Sequence, residues 1–149
     1  MREKVVVDSA CLIALERIGH LDVLSALFEP VMIPPAVEQE FGVPFPWLTV
    51  KKLDDDSLAK NLKMSVDDGE AEAIALAHEQ KCKIILDDGK ARFFGKEQGL
   101  DVIGTIGVLI QAKQNGIFPA IKPLLEALER TGFYISQALK EEALQIAGE

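Results

Sequence analysis

Four short acidic stretches hold the residues of this sequence whose types and spacing suit chemistry. They are Val5-Val6-Val7-Asp8, Val37-Glu38-Gln39-Glu40, Gly69-Glu70-Ala71-Glu72 and Leu86-Asp87-Asp88. In the first stretch three β-branched residues end in one carboxylate. A buried strand that delivers an acid at its carboxyl end is typical of open α/β sheets. We therefore expect the four stretches to meet at one rim of a parallel sheet and to form a metal site.

Helical geometry selects one glutamate from each of the two middle stretches. Glu40 lies three residues after Val37, so we expect it on the apolar face of its helix, in a sheltered position. Glu70 lies one turn before Ile74, whereas Glu72 is about 200° away around the helix axis. The two cannot face one centre, and we choose Glu70.

Asp87 and Asp88 both follow an apolar strand, and the spacing does not separate them firmly. We favour Asp88 as the inward acid and keep Asp87 as a near equal. Carboxylates crowded into one pocket raise each other's pKa, and a divalent cation relieves that repulsion. Oxygen ligands without a partnering Cys or His favour Mg²⁺ or Mn²⁺, and such a site activates water and neutralises phosphate. The two histidines, His20 and His78, are expected to be surface or packing residues.

Each acid also has a purely structural explanation. Asp8 is well placed to cap the helix that begins near Ser9, and Glu70 suits the positive end of a helix dipole. The run Asp87-Asp88-Gly89 is also a common way to end a strand in a turn. The metal site is favoured by the combination of several acids, each at a strand end or a helix start.

The order of elements predicts a single α/β domain over residues 1–149. Short apolar strands alternate with helices, which favours a mainly parallel sheet covered on both faces, with C-terminal helices at about 119–147 packed on it. We expect Thr105 to be an N-cap and Leu139 and Ile146 to point inward. Other predicted elements are strands at 1–7, 31–33, 83–86 and 100–103, an edge strand or arm at 47–53, and helices at 21–28, 35–41, 67–80, 90–98 and 136–147.

The overall charge argues against broad electrostatic binding of nucleic acid. The chain carries 24 acidic and 16 basic residues, a formal net charge of −8, whereas nucleic-acid surfaces are usually basic. Lys90, Arg92 and Lys96 form a local basic group that we consider for RNA phosphates, although solvated surface is the more ordinary explanation. The two cysteines do not show the spacing of a disulfide framework, and no apolar run is long enough to span a bilayer. Both observations predict a cytoplasmic protein.

Four segments resemble the PIN domain, a family of metal-dependent ribonucleases, and in particular a prokaryotic PIN-like subfamily of predicted nucleic-acid-binding proteins. The segments are Gly69-Glu70-Ala71-Glu72-Ala73-Ile74-Ala75-Leu76-Ala77, Ile85-Leu86-Asp87-Asp88-Gly89-Lys90-Ala91-Arg92, Gly104-Thr105-Ile106-Gly107-Val108-Leu109 and Gly132-Phe133-Tyr134-Ile135-Ser136. The resemblance covers nearly the whole chain. It implies a three-layer α/β/α sandwich, a Mg²⁺ or Mn²⁺ site, and an endoribonuclease that hydrolyses RNA phosphodiester bonds.

The same resemblance implies site residues and partners. Asp8, Glu40 and Asp88 match the family acids, Glu70 stands where many relatives have aspartate, and Asp87 where many have a polar residue. Thr105 is a weaker match near the site. Many relatives are toxins inhibited by a small antitoxin protein, and many are homodimers, so both partners are expected.

Two other functions are compatible with parts of the sequence. One is a catalytically silent PIN-like domain that binds RNA or a partner protein. The other is phosphoryl transfer to an aspartate, as in a response-regulator receiver or a haloacid-dehalogenase-like phosphatase. The receiver pattern lacks its acidic pair after the first strand and its late lysine, and the phosphatase pattern Asp-x-Asp is broken by Ala10.

Overall fold

A five-stranded sheet forms the centre of the computed structural model, which describes residues 2–149. All neighbouring strands are parallel, in the order β3-β2-β1-β4-β5. The strands are β1 (Glu3–Val7), β2 (Phe28–Ile33), β3 (Leu48–Val50), β4 (Lys83–Ile85) and β5 (Val102–Ile103). Helices flank this sheet, so the predicted α/β fold with a parallel central sheet is confirmed.

One or two helices separate successive strands of residues 2–149, and three helices follow the last strand. The helices are α1 (Ser9–Arg17), α2 (Val23–Leu27), α3 (Pro35–Phe41), α4 (Ser57–Leu62), α5 (Asp68–Gln80), α6 (Gly89–Glu97), α7 (Thr105–Gln114), α8 (Lys122–Arg130) and α9 (Gln137–Ile146). Pro35 opens α3, where its missing N–H costs no hydrogen bond. Asp67 caps α5, the longest helix. No helix in this part of the chain is long and apolar enough to cross a bilayer.

The central position of β1 decides where the acids meet. Val5, Val6 and Val7 are each 0% exposed, because β1 has a strand on either side and helices on both faces. Parallel strands bring all their carboxyl ends to one rim. Asp8 therefore lies at the middle of that rim, and its backbone N–H extends the ladder by donating to the Ile85 carbonyl oxygen at 3.2 Å.

Several predicted element boundaries are wrong. β2 begins at Phe28, because the residues predicted as the end of a helix pair with β1 instead. The N-cap of α7 is Gly104, and Thr105 is the first helical residue. Leu139 and Ile146 are 43% and 57% exposed rather than inward-facing. The predicted first strand also included Met1, which lies outside the described residues.

Candidate metal centre

Asp8 is a buried carboxylate that no hydrogen bond fully satisfies. It occupies the N-cap position of α1, yet its side chain makes no capping hydrogen bond. The residue is 5% exposed. Among the side chains of residues 2–149, Asp8 Oδ1 is the one buried polar atom without a hydrogen-bond partner. Buried polar atoms are normally paired, so the capping explanation does not account for this acid.

Glu70 approaches the same rim from the start of α5. Asp67 Oδ1 accepts a hydrogen bond from the Glu70 N–H at 2.7 Å, and Glu70 Oε1 accepts one from the Asp67 N–H at 3.2 Å. This reciprocal capping box fixes Glu70, which is buried at 9% exposure. Glu70 thus combines the structural role considered above with a place beside Asp8. Asp67 was not among the expected site residues, although its Asp-x-x-Glu spacing is the sequence signal of this box.

Glu40 reaches the rim from the last turn of α3, but it is not sheltered. The residue is exposed, because the carboxyl end of α3 opens to solvent although Val37 below it is buried. Ser9 Oγ donates a hydrogen bond to Glu40 Oε2 at 3.3 Å. Glu40 Oε1 lies only 1.8 Å from the point where a Cβ on Gly69 would stand. The carboxylate therefore occupies space that only a glycine at position 69 leaves open.

The two aspartates after β4 have different roles. Asp88 caps α6 by accepting the Ala91 N–H on Oδ2 at 3.0 Å, and its charge helps to raise the pKa of Glu70. Asp87 accepts hydrogen bonds on both oxygens from Thr105, from the N–H at 2.8 Å and from the hydroxyl at 2.6 Å. Asp87 thus ties the end of β4 to the start of α7. This geometry favours Asp88 as the acid of the cluster.

Replacing Thr105 by Val is expected to destabilise the chain by about 1.5–3 kcal/mol, because Thr105 is fully buried and its hydroxyl hydrogen-bonds a charged oxygen. Urea denaturation measures the loss. Thr105→Ser keeps the hydroxyl and should stay much closer to the wild type. Equal stability of the valine variant and the wild type would show that the hydrogen bond from Thr105 to Asp87 does not stabilise the fold.

Burial and neighbouring negative charges raise the pKa values of Asp8, Glu40 and Glu70, which together with Asp88 form the acidic cluster. Burial raises the pKa of Asp8 to about 7, opposed by the Ser9 amide and reinforced by the charge of Glu70. Burial likewise raises the pKa of Glu70 to about 7. Burial first, and then the charge of Asp67, raise the pKa of Glu40. The ionised forms of Asp8 and Glu70 are therefore unfavourable in this buried site, and a bound cation would stabilise them.

These shifts set the pH dependence of stability in a chelating buffer. Asp8 has a pKa of about 7 when folded against a model value of 3.8, so between these values the folded chain holds a proton that the unfolded chain has released. The free energy of unfolding should then fall as the pH rises from about 4 to about 7. Urea denaturation in EDTA at several pH values measures it. A free energy of unfolding that increases between about pH 4 and pH 7 would contradict the raised pKa of Asp8.

A divalent cation fits the chemistry of this cluster. The donors are carboxylate oxygens, which suit Mg²⁺ or Mn²⁺, and Asp8 Oδ1 is a buried oxygen awaiting a partner. In residues 2–149, however, no three or more His, Cys, Asp or Glu side chains are placed to hold one ion as they stand. His20 packs edge-on against Phe118, and His78 is exposed.

The local basic group does not form one surface. Arg92 is half-buried, and its Nη1 donates to the Leu86 carbonyl oxygen at 2.7 Å, whereas Lys90 and Lys96 are exposed. At 100° per residue, Arg92 and Lys96 share a side of α6 and Lys90 lies on another. Of these three residues, Arg92 is the one held by a hydrogen bond just past the carboxyl end of β4.

Comparisons with known proteins agree with this architecture. No curated protein sequence matches the chain. Among solved structures, the chain resembles a PilT N-terminus domain protein from the hyperthermophilic archaeon Sulfolobus solfataricus P2, with a TM-score of 0.50 and 14% identity. The match covers 73% of this chain and 92% of that chain, and at this identity it shows the fold alone. The family model DUF3368, described as a PIN domain, matches residues 4–149. The fold has a central parallel sheet with acids at its carboxyl rim, and the family model matches nearly the whole sequence. The chain therefore belongs to this family of PIN domains.

Proposed function

We propose that the chain is a divalent-metal-dependent ribonuclease whose centre is the cluster of Asp8, Glu40, Glu70 and Asp88. PIN domains are generally nucleases and generally use divalent metal ions. The observation that carries the proposal is Asp8 Oδ1, a buried carboxylate oxygen without a partner at the middle of the sheet rim. A polar atom in that state is costly unless something binds it.

Each acid has its own role in this proposal. Asp8 and Glu70 are the buried ligands, Asp88 closes the cluster from the α6 side, and Glu40 lies at its open side. When bound, a divalent cation supplies charge neutralisation at the phosphate and activation of water. Asp8 and Glu70, with pKa values of about 7, release protons as the cation takes their place.

Glu40 is the carboxylate best situated to accept a proton from the attacking water. Its Oε2 is held by the Ser9 hydroxyl, which leaves Oε1 directed past Gly69 toward the start of α5. Its raised pKa makes it a stronger base than a free glutamate. Ser9 and Gly69 act through Glu40, one by a hydrogen bond and the other by the space it leaves.

Incubation with a mixed RNA pool tests the proposal. Fragments are expected with Mn²⁺ or Mg²⁺ and not in EDTA, and Glu40→Gln should reduce cleavage strongly. Glu38→Gln is the matched control, because Glu38 is exposed on the same helix and does not contribute to the raised pKa of Asp8 or Glu70. Equal cleavage in EDTA, or equal loss in the two variants, would contradict the assignment.

A small antitoxin protein and a second copy of the chain are the protein partners that we propose. A formal net charge of −8 favours a basic partner, as a small antitoxin would be, since complementary charge speeds association. A homodimer is also proposed. Metal binding without cleavage of any RNA would instead favour the alternative function, a PIN domain that binds RNA or a protein without cutting it.

A further inference from the structure

A groove of about 800 Å³ adjoins the acidic cluster on the β5 side of the sheet. Its lining includes Asp87 and Asp88, at the turn between β4 and α6. Residues of α7 and α9 also line the groove. Because Asp88 belongs to both, the groove is continuous with the proposed catalytic centre.

Glycines and apolar side chains make up much of the groove lining. Gly104 and Gly107 contribute no side chains to it. Ile103, Ile106 and Phe133 supply apolar wall. Tyr134 also lines the groove, and 85% of its surface is exposed, so its ring is accessible to a ligand.

Arg92 lies in the same groove, beside Gly104. A Cβ on Gly104 would come within 3.2 Å of Arg92 Nη1 and 3.0 Å of Asp87 Oδ1. The absence of a side chain at Gly104 thus leaves room for the guanidinium, which donates a hydrogen bond to the Leu86 carbonyl oxygen. Guanidinium planes and aromatic rings are the groups on which proteins stack unpaired bases.

We propose that this groove binds one unpaired base of the RNA, from the nucleotide next to the scissile phosphate, with Tyr134 as the stacking residue. This inference rests on the proposed ribonuclease function and adds to it a base-binding role for the groove and for Tyr134. A base inside a duplex is stacked on its neighbours and cannot enter the groove, whereas the bases of loops and ends can turn out of the stack.

Charge explains why a base, and not a length of phosphate backbone, occupies the groove. Its lining carries Glu142 as well as Asp87 and Asp88, against Arg92. An acidic lining repels phosphates but tolerates an uncharged ring. The competing occupant is a basic amphipathic helix of another protein, which would lie on the exposed apolar side of α9 formed by Leu139 and Ile146. The exposed ring of Tyr134, the space left by Gly104 and Gly107, and the presence of Asp88 in both the groove and the cluster favour the base.

The test measures RNA binding without cleavage, in the Asp8→Asn background and in EDTA. The probes are a fluorescein-labelled eight-nucleotide single-stranded RNA and a matched ribose-phosphate chain that lacks bases. Tyr134→Ala should weaken binding of the base-containing probe roughly tenfold or more, since stacking on one aromatic residue contributes that much. Tyr134→Phe keeps a ring and should bind as the parent does. The abasic probe should bind weakly and be insensitive to both changes.

Two further variants keep this test independent of folding. Phe93→Ala removes another exposed aromatic residue, 57% exposed on α6 and outside the groove lining, and should leave binding unchanged. Gly107→Leu fills the groove from a helix position where a Cβ would meet only Ile103, at 3.7 Å, and should weaken binding as Tyr134→Ala does.

Each outcome separates the groove from the nuclease. Equal affinity for the two probes, or equal effects of Tyr134→Ala and Phe93→Ala, would overturn the base site even if the wild type cleaves RNA. Base-dependent binding lost in Tyr134→Ala would support it even if no cleavage is found. A basic amphipathic helical peptide is the probe for the competing occupant. The base site would be overturned in favour of a protein partner if this peptide binds saturably, Gly107→Leu abolishes its binding, and the RNA probe does not displace it.

Discussion

Asp8→Asn is expected to lose cleavage while gaining stability. Asparagine has nearly the same shape but no charge, so it removes one ligand of the proposed cation and with it the cost of burying the carboxylate. Cleavage should fall by more than about 100-fold, since even residues that only support metal ligands cost 10–100-fold. In EDTA at pH 8 the variant should be more stable than the wild type by at least about 1 kcal/mol, because the pKa of Asp8 is raised to about 7.

A matched control exists in the same chain. Asp22 also occupies an N-cap position without a capping side-chain bond, but it is exposed and does not contribute to the raised pKa of Asp8. Asp22→Asn should change neither cleavage nor stability measurably. The account of Asp8 fails if Asp8→Asn cleaves RNA at the wild-type rate, or if it is destabilised in EDTA at pH 8.

Gly69→Ala is expected to separate activity from stability in a different way. The new methyl group would stand 1.8 Å from Glu40 Oε1, so the carboxylate must move. The glutamate side chain is flexible and can turn into solvent, while alanine favours a helix over glycine by roughly 1 kcal/mol. Folding should therefore be preserved or improved. Cleavage should fall by about 100-fold, as misplacement of a catalytic group by about 1 Å can do.

A double-mutant cycle shows whether Gly69 acts through Glu40. If it does, adding Gly69→Ala to Glu40→Ala changes cleavage no further, because the displaced carboxylate is already absent. The two losses multiply if Gly69 has a separate role, such as shaping the start of α5. Cleavage rates and urea denaturation of all four proteins complete the comparison.

The parallel sheet and the rim position of Asp8 follow from short-range sequence signals. Val5, Val6 and Val7 form an unbroken apolar run, which is typical of a strand buried on both faces, and the acid comes directly after it. Pro35 marks the start of α3, and the Asp67–Glu70 spacing marks the start of α5. Each of these signals spans only a few residues, so no tertiary contact is needed to recognise it.

The details that differ depend on contacts between distant residues. Periodicity put Glu40 on the side of α3 that faces the rim, but its exposure is set by where α3 ends relative to the sheet. Asp87 and Asp88 are adjacent acids after the same strand, and it is the contact of Asp87 with Thr105, 18 residues away, that sequence spacing does not reveal. The stripe of Leu139 and Ile146 resembles a core-facing helix side, yet it borders a groove, and helical spacing alone cannot tell a core from a groove.

Calorimetric titration of Mn²⁺ into the wild type and into Asp8→Asn tests the central claim most directly. The claim is that the buried carboxylate of Asp8 belongs to a metal centre. Saturable binding to the wild type is predicted, stronger at pH 8 than at pH 5.5 because Asp8 and Glu70 must lose their protons, and Asp8→Asn should lose most of it. Absence of binding to the wild type at pH 8, or equal binding to both proteins, would contradict a metal centre at this rim.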